Sequence, residues 1–276
     1  MLDVALEVSL FTLFSYTAGD LISKNPSQKI GSLPTTLLAL GSSFVLFSFL
    51  LILRGFSMPL SSCLYSVIAG LFFAGGLLFS FKPLESEQVS DTLAMVGFAY
   101  IVPVVFAAVY LKERVPLLSY VGVLLILTGS TIIAFKKNKF NKMLIPAIIG
   151  NIMWGIQFIF FNYALKASSN YIDVAFVSSF VGFSVALVYS FFKSKVFINF
   201  KYASQAILSG ILLALGILGS IYMIMIRVMV LGLSIVASEP AFITLLGKIV
   251  YKDVINKPQL LGVIMAISGI FLITVY

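Results

Sequence analysis

The sequence has no histidine and a single cysteine, Cys63, among its 276 residues. Without histidine the chain lacks the commonest general base near neutral pH, every imidazole metal ligand and histidine proton relays. One cysteine excludes an intramolecular disulfide. Charge is scarce as well: Asp, Glu, Lys and Arg make up 10% of the residues, where a soluble domain carries ~25%. What fills the space is apolar. Hydrophobic residues reach 61% and mean hydropathy is +1.12, so this surface cannot mostly face water.

The net charge of +8 does not point to nucleic acid. The eighteen Lys and Arg stand singly or in short groups between apolar runs, as basic loops at a membrane surface do. The amino terminus lacks the basic start of a cleaved leader, since Asp3 and Glu7 come first, and is read as the first crossing. The composition predicts a multi-pass integral protein of the cell membrane, with the lipid bilayer as its principal partner. No cofactor and no metal site is expected.

Eight runs carry no charged residue: 31–53, 55–81, 92–111, 115–135, 143–165, 174–192, 202–226 and 258–276. At ~1.5 Å per residue each reaches across about 30 Å of hydrocarbon. Two more segments are apolar but interrupted, 4–22 by Glu7 and Asp20, and about 230–250 by Glu239 and Lys248. The expectation is therefore all-α, with ten transmembrane helices. Ser23 to Ser32, with Asn25-Pro26 and Gly31, reads as a loop, and so does Lys82 to Asp91. A basic linker at 136–142 divides the chain into 1–135 and 143–276.

The two parts are related. A shift of about 140 residues places Gly70 on Gly210, Ala74 on Ala214, Gly76 on Gly216 and Ser80 on Ser220. The same shift places Lys112 on Lys252, Glu113 on Asp253, Gly122 on Gly262 and Gly129 on Gly269. Five helices per copy is an odd number, so the second copy enters the membrane from the opposite side. Two inverted five-helix repeats are the architecture of secondary transporters, in which one half rocks against the other around a midplane site.

The stretch from Phe98 to Pro103, then Tyr110-Leu111-Lys112-Glu113-Arg114 and Gly122 through Gly129, resembles the end of an EamA-type repeat of the drug/metabolite transporter superfamily. Its partner is Ser238-Glu239-Pro240, Lys252-Asp253 and Gly262 through Gly269, and Asn151 to Gly155 is similar to a repeat start. In the first helix Phe14-Ser15 stands in the place of Trp154-Gly155. The resemblance implies a ten-helix exporter or exchanger of a small metabolite, amino acid or drug, working by alternating access as a monomer or homodimer. It also implies cytoplasmic termini, against the charge count. Arg54, Lys112, Arg114, Lys166 and Arg227 lie on the side of the termini and the other thirteen basic residues opposite, which by itself favours termini outside. We follow the resemblance, with the 136–142 linker away from the cytoplasm.

Polar side chains at membrane depth are costly and face a cavity or a partner. Asn151, Trp154 and Gln157 share one broad face of the sixth segment, and Thr12, Tyr16 and Asp20 follow one another at i, i+4 and i+8 in the first. Tyr100 and Tyr222 are weaker candidates of the same kind. Glu239 is the sharpest, an acid about ten residues into the ninth segment. Each of these lines a substrate site or bonds between helices, and both readings stand at this point. Asp20 and Glu239 are the candidates for coupling. Pro103 and Pro240 each remove a helix hydrogen bond and are candidate gating kinks. A channel would form its pore from charged rings or an exposed backbone filter, and no filter-like segment is present. A non-transporting sensor or scaffold does not require the repeat. An intramembrane enzyme would need a nucleophile–base pair or a metal cluster at depth, and without histidine and with one cysteine the parts for it are few.

Overall fold

The structure, a computed structural model, describes residues 2–86, 92–113, 115–134, 145–168, 170–193 and 199–275. All regular elements among them are helical. In chain order they are α1 (Leu2–Lys29), α2 (Ser32–Arg54), α3 (Leu60–Phe81), α4 (Gly97–Val105), α5 (Leu117–Ala134), α6 (Ile145–Ala167), α7 (Tyr171–Lys193), α8 (Phe200–Met225), α9 (Met229–Val236), α10 (Glu239–Val250) and α11 (Lys257–Val275). Short 3-10 turns at Pro83–Glu85 and Ala94–Val96 flank the fourth segment. The linker at 136–142 and Arg114 lie outside the described residues.

Among the described residues eight segments are long and apolar enough to cross a membrane, with α9 and α10 counted together as Met229–Val250. Ala94–Tyr110 is a shorter apolar segment. α1 is 28 residues long but carries Asp3, Glu7, Asp20, Lys24 and Lys29, which lower its hydropathy. Leu53, Leu117, Phe191, Phe192 and Phe271 point outward with more than half of their surface exposed, an apolar coat suited to lipid.

Two expectations are corrected here. Residues 23–29 are not a loop: α1 continues through Pro26 to Lys29 and ends only at Gly31, whose φ of 94° takes the chain out of the helix. A proline in the last turns removes one hydrogen bond, while Ile30 N–H still reaches the Pro26 carbonyl at 2.8 Å. Nor does Pro240 kink a continuous ninth helix. The helix stops at Val236 and restarts at Glu239 with Pro240 in its first turn, where the missing N–H would be unpaired anyway. Pro103 does sit inside α4, and the chain widens to a π-helical turn over Phe106–Tyr110 just after it.

The packing repeats itself between the first and second parts of the chain. α3 packs on α6 as α8 packs on α1, α3 on α7 as α8 on α2, and α4 on α6 as α9 on α1. α2 against α7, and α5 against α11, close the two ends of the arrangement. At the α5–α11 crossing the backbones touch. A Cβ built on Gly129 would lie 2.6 Å from the Gly262 carbonyl oxygen, and one built on Gly262 would lie 2.6 Å from that of Gly129. Only glycine permits this approach.

The corners after α4 and α10 also match at the shift of 140. Lys112 (φ 53°) and Lys252 (φ 59°) adopt the left-handed conformation usual for glycine, at a cost of order 1 kcal/mol each. The next residue then returns to the helix end: Glu113 N–H donates to the Ala107 carbonyl at 3.2 Å and Asp253 N–H to that of Gly247 at 3.3 Å. The acids after these lysines are not simply solvated. Glu113 accepts from Val230 N–H at 2.8 Å and so holds the start of α9. Burial pushes its carboxyl above the ordinary range, opposed by the Val230 and Met229 amides and by Arg227.

Candidate functional site

The break between α9 and α10 places a carboxylic acid inside the bundle. Ser130 of α5 donates its hydroxyl to the freed Ala237 carbonyl at 2.6 Å, which stabilises the interruption. Glu239, the first residue of α10, is then fully buried. Its Oε2 accepts the Tyr100 hydroxyl at 2.8 Å. Its Oε1 has no partner among the described residues.

α1 brings the second acid. Its Tyr16 and Asp20, one turn apart, are both buried, and the Asp20 Oδ1 is unpartnered among the described residues. Asp20 and Glu239 lie within electrostatic reach of each other, and Tyr16 and Tyr100 within reach of both. Four described basic side chains are directed elsewhere. Lys24, one turn beyond Asp20, donates to the Leu84 carbonyl at 2.9 Å. Lys82 pairs with Glu85, Arg227 lies near Glu113, and Lys248 is exposed. Each acid keeps an oxygen without a partner among the described residues, and burying a carboxyl in this way is costly.

Aromatic rings complete the centre. The Tyr16 hydroxyl shares a hydrogen bond with Ser220 Oγ at 3.0 Å, and its ring meets Trp154 edge-on at 5.6 Å. The Trp154 indole N–H, 3% exposed, finds no acceptor among the described residues. The Tyr100 ring stacks on Phe158 at 6.3 Å. Gly216 lies under the Tyr16 ring, and its counterpart at the shift of 140, Gly76, lies against the Cβ and backbone N of Trp154. Tyr16 is therefore the counterpart of Trp154 in packing. Phe14, given that place by the sequence shift, faces outward against Phe242.

The other sequence candidates are placed as follows. Gln157 is fully buried with both amide atoms unpartnered among the described residues. Asn151 spends its NH2 on the Ala147 carbonyl one turn back, at 2.8 Å. Tyr222 is not brought to the centre; it packs edge-on against Tyr171 at 6.3 Å. Phe158 and Ser220 were missed, because nothing in a sequence marks one phenylalanine or serine among many. Asp173 was missed too. It is fully buried and accepts the Ser57 N–H at 3.0 Å, tying α7 to the α2–α3 connection.

Two cavities lie near opposite ends of α6. One, of ≈ 530 Å³, reaches Pro146 and is lined by Ser32, Lys82, Glu85, Tyr189 and Lys193. The other, of ≈ 550 Å³, reaches Asn162 and Lys166 and is lined by Tyr110, Glu113 and Arg227. Neither is lined by Tyr16, Asp20, Tyr100, Trp154 or Glu239.

Residues 141–275 match the sequence model of the EamA-like transporter family. No curated protein matches the chain in sequence. A solved structure described only as "Crystal structure of protein" superposes with a TM-score of 0.75, covering 97% of this chain and 95% of that one at 14% identity. At that identity the likeness is one of fold alone.

Proposed function

The second half of the chain, residues 141–275, belongs to the EamA-like transporter family, within the drug/metabolite transporter superfamily, and on that premise we propose that the protein is a secondary transporter with its substrate site at the Asp20–Glu239 centre. It is an integral membrane protein, and we place it in the cell membrane as a monomer or homodimer. It carries ten spans in two inverted five-helix halves. Support for that arrangement comes from the packing that recurs when the halves are exchanged and from the matching lysine corners.

The observation that carries the functional reading is the fully buried Glu239 carboxyl, hydrogen-bonded to Tyr100 and within electrostatic reach of Asp20, at a helix break. A broken helix at the midplane, with polar groups at the break, suits a site that two halves expose in turn. Asp20 and Glu239 serve both contact with the substrate and coupling to a proton or cation. A continuous channel is disfavoured, because the lining of neither cavity includes the central residues. Counterflow in proteoliposomes tests the reading. Preloaded unlabelled solute should drive uptake of the labelled form, whereas a channel carries a flux that preloading does not stimulate.

Gln157→Ala tests the α6 face. The change removes two orphan amide atoms, worth about 1–3 kcal/mol each when unpaired, and leaves a small cavity that costs a similar amount. The thermal midpoint should stay close to wild type while transport falls roughly tenfold, about 1.4 kcal/mol. Normal transport, or an unfolded variant, would place Gln157 in packing instead. For orientation, a cysteine at Asn138 in a Cys63→Ser background should react with a membrane-impermeant thiol reagent in intact cells. Reaction only after permeabilisation would put the 136–142 linker in the cytoplasm.

A further inference from the structure

The central site has two chemically different walls. Glu239 and Asp20 form one, with an unpartnered oxygen on each. Phe158, the Tyr100 ring and the Trp154–Tyr16 pair form the other. Tyr100 belongs to both, since its hydroxyl donates to Glu239 while its ring lies on Phe158. The packing that makes Tyr16 the counterpart of Trp154 shifts α1 against α6 by 138 residues, and this puts Asp20 opposite Phe158. The two halves are alike in backbone here and opposite in chemistry: where one offers a carboxyl, the other offers a ring. A substrate that must satisfy both walls at once has a cationic end and a flat apolar end.

Resting on the transporter reading above, we propose that the substrate is an organic cation in which an ammonium group is joined by a short chain to an aromatic or similarly planar group. The ammonium meets the Asp20 and Glu239 carboxyls, and the ring lies among Tyr16, Tyr100, Trp154 and Phe158. An anion would meet two acids, each with an oxygen that has no partner among the described residues. Ca²⁺ or Mg²⁺ asks for six or more oxygen ligands and gains nothing from stacked rings. A desolvated ammonium gains from both the carboxyls and the aromatic faces. The second independent sign of a ligand is on α6. The buried Trp154 indole N–H and, three residues on, both Gln157 amide atoms have no partner among the described residues, so polar groups on this face of α6 are open to a ligand.

The chain has one tryptophan, so its emission reports on this site directly. The full-length protein in nanodiscs is titrated with phenethylamine (ring and ammonium), n-butylamine (ammonium alone) and phenylacetate (ring and carboxylate). Phenethylamine should change Trp154 emission saturably and bind at least tenfold tighter than either of the others. Asp20→Asn and Glu239→Gln should each weaken it at least tenfold, and Phe158→Leu should narrow its advantage over n-butylamine. The three-probe comparison needs no variant, so it stands if a variant fails to fold. Equal binding of phenylacetate, or no saturable response to either amine, overturns the cation assignment. Counterflow with a mixed metabolite pool separates the two levels: exchange of solutes other than amines discards the substrate class and keeps the transporter, while amine binding without counterflow of any solute keeps the site and discards transport.

Discussion

Replacing Glu239 by glutamine should abolish most transport while the protein stays folded. The amide keeps the length of the side chain, and its oxygen still accepts the Tyr100 hydroxyl that lies at 2.8 Å in the wild type. α10 keeps Pro240 in its first turn, and Ser130 keeps its bond to Ala237. Only the capacity for negative charge is lost. Removing one charge from a buried hydrogen-bonded pair costs about 2–5 kcal/mol of binding, more than ~30-fold in affinity. Stability moves the other way or not at all, because an acid without a bonded base is itself costly to bury. The measurement is counterflow and its pH profile in proteoliposomes beside the thermal midpoint of the same preparation. Wild-type transport with an unchanged pH profile would reduce Glu239 to a brace for the helix break.

The largest loss of stability is expected at the other end of the bundle, from Gly262→Val. The new Cβ would sit 2.6 Å from the Gly129 carbonyl oxygen and 2.7 Å from Ile133 Cγ1. The first of these is backbone in the middle of α5 and cannot step aside, so the two helices must separate. Overpacking of this kind costs about 1–3 kcal/mol in soluble cores and more where backbone meets backbone. In a membrane the separated helices also lose the close van der Waals contact that holds them, with no hydrophobic effect to restore it. We expect ~3 kcal/mol or more, read as a lowered midpoint in denaturant titration. Leu260→Val, at an outward position half exposed, is the control and should stay within about 0.5 kcal/mol. A stable Gly262→Val protein would mean that α5 and α11 do not cross at these glycines.

Much of the frame was legible before any coordinates, because hydropathy is a local property. The uncharged run at 31–53 became α2 over Ser32–Arg54, and that at 202–226 became α8 over Phe200–Met225. Chain ends of helices were read less well. The Asn25-Pro26 pair looked like a turn, yet α1 runs past it, since one missing hydrogen bond near a helix end is a smaller cost than the burial gained by the apolar Ile30 that follows. The ninth segment read as one kinked helix, but it is two, and the sequence gives no sign that a serine 107 residues away would bond the carbonyl at the break.

The site shows the same division. Glu239 and Asp20 were identifiable because a carboxyl in an apolar segment demands compensation wherever the chain takes it. Tyr100 and Trp154 stood out as polar aromatics in apolar runs. Tyr222 stood out for the same reason, and the fold sends it to Tyr171 instead. What the sequence determined by itself was an all-helical membrane chain with an internal repeat, since residue-by-residue transfer energy and a constant offset need no third dimension. Which polar groups meet was decided only in the tertiary structure. The bond from Tyr100 to Glu239 and the contact of Tyr16 with Trp154 span 139 and 138 residues, and they depend on helix rotation and on a register set by glycine contacts between helices. A rotation of one residue, about 100° on a helix, would turn any of these side chains to lipid, and no local property of the chain records that angle.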